Sequence, residues 1–285
     1  MSERYLEMIE QALKSYCTIT DCPQKKVYQA MYDAVLAGGK RLRPMLVLAA
    51  CEACGGTAEQ ALPFSCALEM VHTYSLIHDD LPCMDDDDFR RGKPTCHKVY
   101  GEGVAVLAGD GLLTMAFETA ARAKLPADRI VKGVYTLACL AGPKGMIGGQ
   151  IVDIESEGKE ISQQLLYFLH QHKTGALLRA AVLLGGIAAG TDQKTLDQLE
   201  QYADYLGVAF QIQDDILDVI GTVALGKPLG SDAAQGKTTF VTKFGMQRSR
   251  ELAEEYTEKA IQAAKQLEQP EYFIELAKKL LTRDR

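Results

Sequence analysis

The chain has 285 residues, 47% of them hydrophobic and 24% charged, enough apolar material for a sizeable core and too much for a disordered chain. Its net charge of -7 excludes the broad basic surface that nucleic acid requires, so an anionic substrate would have to be met by local clusters of cations.

The opening "MSERYLEMIEQALKSYC" is charged and amphipathic, unlike a signal peptide. No later run reaches about 18 uninterrupted apolar residues, so no membrane span is expected and the cytoplasm is the expected compartment. Helical periodicity dominates, as in "ALEMVHTY" (Ala67, Met70, Val71, Tyr74) and "LEQYADYL" (Leu199, Tyr202, Ala203, Leu206), and no period-2 strand stands out. Breaks rich in Gly, Pro or Asp fall at 37–44, 54–63, 81–95, 141–145, 188–192 and 221–238. No linker divides the chain. One all-α domain over residues 1–285, a bundle of ten or more helices, is expected. Cys51 and Cys54 have CxxC spacing without a partner pair, and the eight cysteines read as reduced, small apolar residues.

The stretch "HDDLPCMDDDD" (78–88) places six carboxylates in eleven residues just after an apolar helix. Carboxylates this close repel one another unless cations neutralise them. Four residues beyond Asp79 stands Cys83, a soft ligand unsuited to Mg²⁺, while Pro82 should break the helix and bring Asp85 round. Asp79 and Asp85, with Asp80 nearby, form the expected clamp; Asp86, Asp87 and Asp88 read as solvated or capping residues. About 135 residues later, "FQIQDDILD" again ends an apolar helix on paired Asp. Asp214 and Asp218 are four apart, on one helical face, so their oxygens can converge on a hard cation.

Basic residues occupy the same breaks. Gly39 permits close approach beside Lys40, Arg41 and Arg43 in "GGKRLRP"; Arg90 and Arg91 follow the acidic run. Lys173 and Thr174 stand in "HKTG", Lys227 in "GKPLGSD" and Lys237 in "GKTT". "GSDAAQGKT" is not a phosphate loop, because Ser231 stands where Gly is required and no strand precedes it. His72, His78 and His97 form no HExxH, and no nucleophilic triad is evident.

With GGKRLRP, DDxxxxD followed by RRG, KTG, FQxxDDxLD, GKxxGSD and GKTT in this order, the chain resembles the short-chain trans-prenyl diphosphate synthases of the polyprenyl synthetase family, and within it the bacterial farnesyl diphosphate synthase (geranyltranstransferase) branch. The resemblance implies the isoprenoid synthase fold, a bundle of mostly antiparallel helices around a deep central cavity, as a homodimer. It implies three Mg²⁺, with Mn²⁺ as a substitute, held by Asp79, Asp80, Asp85, Asp214 and Asp218. Gly39, Lys40, Arg43, His72 and Arg91 would hold isopentenyl diphosphate. Arg90, Lys173, Lys227 and Lys237 would grip the allylic diphosphate, dimethylallyl or geranyl, and Thr174 and Gln211 would direct oxygens at the developing cation. The implied reaction is a head-to-tail 1'-4 condensation by ionisation, condensation and elimination, giving (E,E)-farnesyl diphosphate.

Tyr74, with Ser75 beside it, lies five residues before Asp79, roughly 7 to 8 Å down a helix. An aromatic there would block a growing chain, and in the related bacterial enzymes it accompanies a C15 product. The alternatives are a geranylgeranyl diphosphate synthase of the same family and a silent regulatory subunit, though such subunits typically lose one Asp motif. Class I cyclases and head-to-head condensing enzymes carry different second motifs.

Overall fold

The computed structural model describes residues 2–220 and 237–283. Fourteen helices are present among them: α1 (Ser2–Tyr16), α2 (Lys25–Val35), α3 (Leu42–Ala53), α4 (Ala58–Asp79), α5 (Cys96–Tyr100), α6 (Glu102–Ala121), α7 (Ala127–Ala141), α8 (Met146–Ser156), α9 (Gln163–Lys173), α10 (Gly175–Ala189), α11 (Gln193–Ile220), α12 (Phe240–Phe244), α13 (Met246–Ala264) and α14 (Glu271–Leu281). The all-α expectation holds. The one departure is a two-stranded hairpin, β1 (Phe89–Arg90) against β2 (Lys93–Pro94). Each strand is too short to show alternation, and the turn depends on Arg91 and Gly92, both at positive φ.

α10 sits at the centre. Its sequence "GALLRAAVLLGGIAA" is apolar on nearly every side, and 12 of its 15 residues are buried. It packs on α3, α4, α7 and α11. Gly185 allows the approach to α3, since a Cβ there would lie 2.3 Å from the Val47 carbonyl oxygen. α3 with α4 and α10 with α11 are each joined by only a few residues and pack together, which makes each pair antiparallel.

α4 begins at Ala58, so the break read at 54–63 is shorter than expected. Thr57 and Gln60 form a capping box: Gln60 N–H donates to Thr57 Oγ1 at 3.4 Å and Thr57 N–H to Gln60 Oε1 at 3.0 Å. Pro63 falls within the helix. Thr57→Ala should lower stability by about 1 kcal/mol in urea unfolding; an unchanged midpoint would show that packing alone starts α4.

The larger core runs from α1 through α7, α10 and the first half of α11 to α13 and α14. A smaller one gathers Leu166, Leu169, Val208, Ile212 and Ile216 around Phe240. α11 contributes to both. At the inner end of the 37–44 break, Arg41 adopts φ 48° and its guanidinium meets Glu69 and Glu10, each at 2.7 Å. α6 is, by length and composition, apolar enough to cross a membrane, although Glu102, Asp110 and Glu118 interrupt its apolar run; here it packs on α4 and α2.

Candidate active site

α4 delivers the first acidic motif. The helix stops at Asp79, and the chain turns through residues 80–85 so that Asp85 N–H donates to the Asp79 carbonyl at 2.9 Å. The turn at Pro82 therefore brings Asp85 back to Asp79. Burial pushes the Asp79 carboxyl up to about 6, and the neighbouring charges of Asp85 and Asp80 act in the same direction against the pull of Lys173. A carboxylate under this pressure is relieved by a cation. Hard oxygen donors crowded in this way fit Mg²⁺.

Asp80 follows at the end of the helix. Its carboxylate is buried and takes a forked ion pair from Arg90, at 2.8 Å to Nε and 2.6 Å to Nη2. Asp80 and Arg90 thus engage each other. The pairing fixes the hairpin to the end of α4.

The second motif ends α11. Asp214 Oδ1 lies 2.5 Å from Arg283 Nη2, and Arg283 also donates to the Phe210 carbonyl and covers the Phe210 ring. Desolvation raises the Asp214 carboxyl above its usual range, with Arg283, Lys40 and Arg43 pulling the other way. Asp215 is structural: it is buried and accepts Phe240 N–H at 2.7 Å, joining α11 to α12. Asp218 lies one turn beyond Asp214 and is partly exposed.

A cavity of about 460 Å³ opens against the first motif. Asp79, Arg43, His72, Lys173 and Thr174 border it, and Tyr74, Ser75, Met146, Ile147 and Leu177 line the rest. Asp214 is not among its lining residues; Gln211 of α11 meets one of them, its Oε1 accepting from Thr174 Oγ1 at 3.0 Å. The Tyr74 ring is buried, edge-on to His78 at 5.7 Å, and its hydroxyl finds no partner among the described residues. Ser75 turns its hydroxyl back to the His72 carbonyl.

On the other side of α4, His72, Arg90 and Arg91 border a second cavity of about 500 Å³. Arg91 donates to the Gly38 carbonyl and lies so close to Gly39 that a Cβ there would meet its guanidinium at 2.3 Å. Arg43 Nη1 stands 3.5 Å from His72 Nε2, and Arg43 Nε is buried without a partner among the described residues. Burial, with the surrounding arginines, holds His72 neutral well below its usual range and lowers Arg43. Lys40 is exposed on the same loop. Gly39, Lys40, Arg43, His72 and Arg91 are thus brought into one neighbourhood. Lys227 lies outside the described residues.

Sequence reasoning missed α8. Gln150 donates to Asp79 Oδ1 at 2.9 Å, and Asp153 binds Lys173 Nζ at 2.5 Å with Lys237 Nζ at 3.7 Å. Burial opposes both charges of the Asp153–Lys173 pair, yet Lys173 holds the Asp153 carboxyl below its usual range and Asp153 holds the Lys173 ammonium above its own. The signal was available: "GGQIVDI" sets Gln150 and Asp153 three apart in an otherwise apolar stretch. Asp153→Asn should release both lysines and slow turnover about 10- to 100-fold without unfolding the chain. Steady-state kinetics alongside circular dichroism would check this, and unchanged turnover would leave the pair a structural ion pair.

Known proteins carry the same design. The family model described as polyprenyl synthetase matches residues 24–277. The chain is 50% identical over 238 residues to a geranylgeranyl diphosphate synthase of Cyanophora paradoxa, covering 82% of this chain and 79% of the relative. It is 48% identical over 258 residues to a dimethylallyltranstransferase of Fischerella ambigua, covering 89% and 74%. A crystal structure of an FPP/GFPP synthase from Zymomonas mobilis superposes with a TM-score of 0.87 at 34% identity, covering 99% of this chain and all of that one. By this match along nearly its whole length, the chain belongs to the polyprenyl synthetase family.

Proposed function

We propose that the chain, as a single catalytic domain, condenses isopentenyl diphosphate head to tail with dimethylallyl or geranyl diphosphate and releases diphosphate. The observation that carries this reading is the 460 Å³ cavity, bordered by Asp79, Lys173 and Thr174 together with apolar side chains such as Met146, Ile147 and Leu177. Asp79 and Asp85 on one side, and Asp214 and Asp218 on the other, would hold Mg²⁺. Bound Mg²⁺ supplies positive charge to the diphosphate leaving group as the allylic C–O bond breaks. Lys173 and Lys237, positioned by Asp153, bind the same diphosphate; Lys227 and a released Arg90 are its further expected cations. Thr174 and Gln211 turn oxygens toward the carbocation left behind. Gly39, Lys40, Arg43, His72 and Arg91 orient isopentenyl diphosphate so that its double bond attacks C1, and the proton then lost passes to the departed diphosphate. The apolar walls exclude water, which would quench the cation.

Product length has two readings. The Cyanophora relative is named for a C20 product, and the relatives' names favour C20 over the C15 expected from the sequence. The C15 reading rests on Tyr74, whose buried ring stands in the cavity wall. Incubation with isopentenyl diphosphate and each allylic diphosphate, followed by mass spectrometry, decides between them. A C15 diphosphate supports Tyr74 as the limit; C20 supports the relatives; no condensation product of any length from folded protein sinks the proposal.

A homodimer fits the exposed Val106 and Leu107 of α6 and Val131 and Tyr135 of the adjoining α7, an apolar face that a second copy would cover.

A further inference from the structure

Asp86, Asp88 and His97 take no part in the chemistry above. Carboxylate oxygens of the two aspartates and a ring nitrogen of His97 all lie within 4.8 Å of one another. Hydrogen bonding fixes the imidazole. The Thr95 hydroxyl donates to the Asp87 carbonyl at 2.8 Å, so its oxygen is left to accept from His97 Nδ1, 3.1 Å away. Nδ1 then carries the proton and Nε2 the lone pair.

His97 is 6% exposed, and its Nε2 is buried with no hydrogen-bond partner among the described residues. A buried lone pair without a donor is unusual in a folded chain and calls for a ligand. An imidazole whose far nitrogen is already anchored by a hydrogen bond has the tautomer and orientation of a metal ligand. The carboxylates supply the opposite charge, and they already draw a cation: Lys98 Nζ lies 2.6 Å from Asp88 Oδ1. Asp86 is held at φ 52°, which keeps it in the turn beside them.

We propose that Asp86, Asp88 and His97 form a second divalent-cation site, distinct from the paired Asp motifs and independent of the reaction assigned above. One nitrogen and two carboxylates suit borderline ions such as Mn²⁺, Co²⁺ or Zn²⁺ better than Mg²⁺. Occupied, the site ties the end of the acidic turn to α5, across the hairpin that carries Arg90 and Arg91. Lys98, exposed and on a flexible stem, gives way to the ion.

Titrating the diphosphate-free protein with Co²⁺ and following its visible d–d absorption tests this. One Co²⁺ per chain is expected, without thiolate charge transfer. Asp86→Asn and Asp88→Asn should each weaken binding at least about tenfold, as should His97→Gln. Asp79→Asn and Cys83→Ser should leave it within about twofold. Asp86 is exposed, so its variant keeps the test valid if His97→Gln does not fold. Absence of binding at millimolar Co²⁺ overturns the proposal. Binding indifferent to Asp86→Asn and Asp88→Asn, or abolished by Asp79→Asn or Cys83→Ser, overturns it as well.

Discussion

Asp79→Asn is expected to lower turnover about 1,000-fold while the protein stays folded. Removing one electrostatic stabiliser aimed at charge that develops in the transition state typically costs 10²- to 10³-fold, and the turn returns Asp85 to Asp79, its backbone N–H donating to the Asp79 main-chain carbonyl. Asn keeps the size of the side chain and can still meet Gln150, so the loss would be one of charge rather than packing. Burial already pushes the Asp79 carboxyl up to about 6, so the metal-free protein gains little from its charge. Thermal unfolding of the variant without Mg²⁺ should therefore match or exceed that of the parent. A loss smaller than tenfold would remove Asp79 from the metal set.

Tyr74→Ala is expected to lengthen the product by at least one five-carbon unit. The ring is buried in the wall of the cavity bordered by Asp79 and Lys173, about one and a half helical turns from Asp79. Truncation opens volume in the wall of that cavity. The hydroxyl has no partner among the described residues, so Tyr74→Phe should keep the parent's product. Product sizing by mass spectrometry reads both. An unchanged product from Tyr74→Ala would show that the limit lies elsewhere and would strengthen the C20 reading that the relatives' names favour.

Most of the bundle could be read from the sequence because its information is local. Helical spacing around Met70 and Leu199, and Gly or Pro at the breaks, report directly on backbone preference and burial. The return of Asp85 to Asp79 was also legible, since Pro82 forbids the helix from continuing. What was hidden depends on contacts between distant segments. The Asp80–Arg90 pair requires the hairpin, whose two-residue strands show no period. The reach of Arg283 to Asp214 and of Asp153 to two lysines depends on how α14, α8 and α9 pack, which no spacing rule encodes. Within α4, Thr57 and Gln60 form a local cap that the Gly-rich stretch before them concealed.

The most direct test of the central claim is stoichiometric. Purified chain given isopentenyl diphosphate, geranyl diphosphate and Mg²⁺ should release one inorganic diphosphate for each isopentenyl diphosphate consumed, and EDTA should abolish both. Folded protein that binds Mg²⁺ and both substrates yet releases no diphosphate would contradict the account and favour a silent subunit.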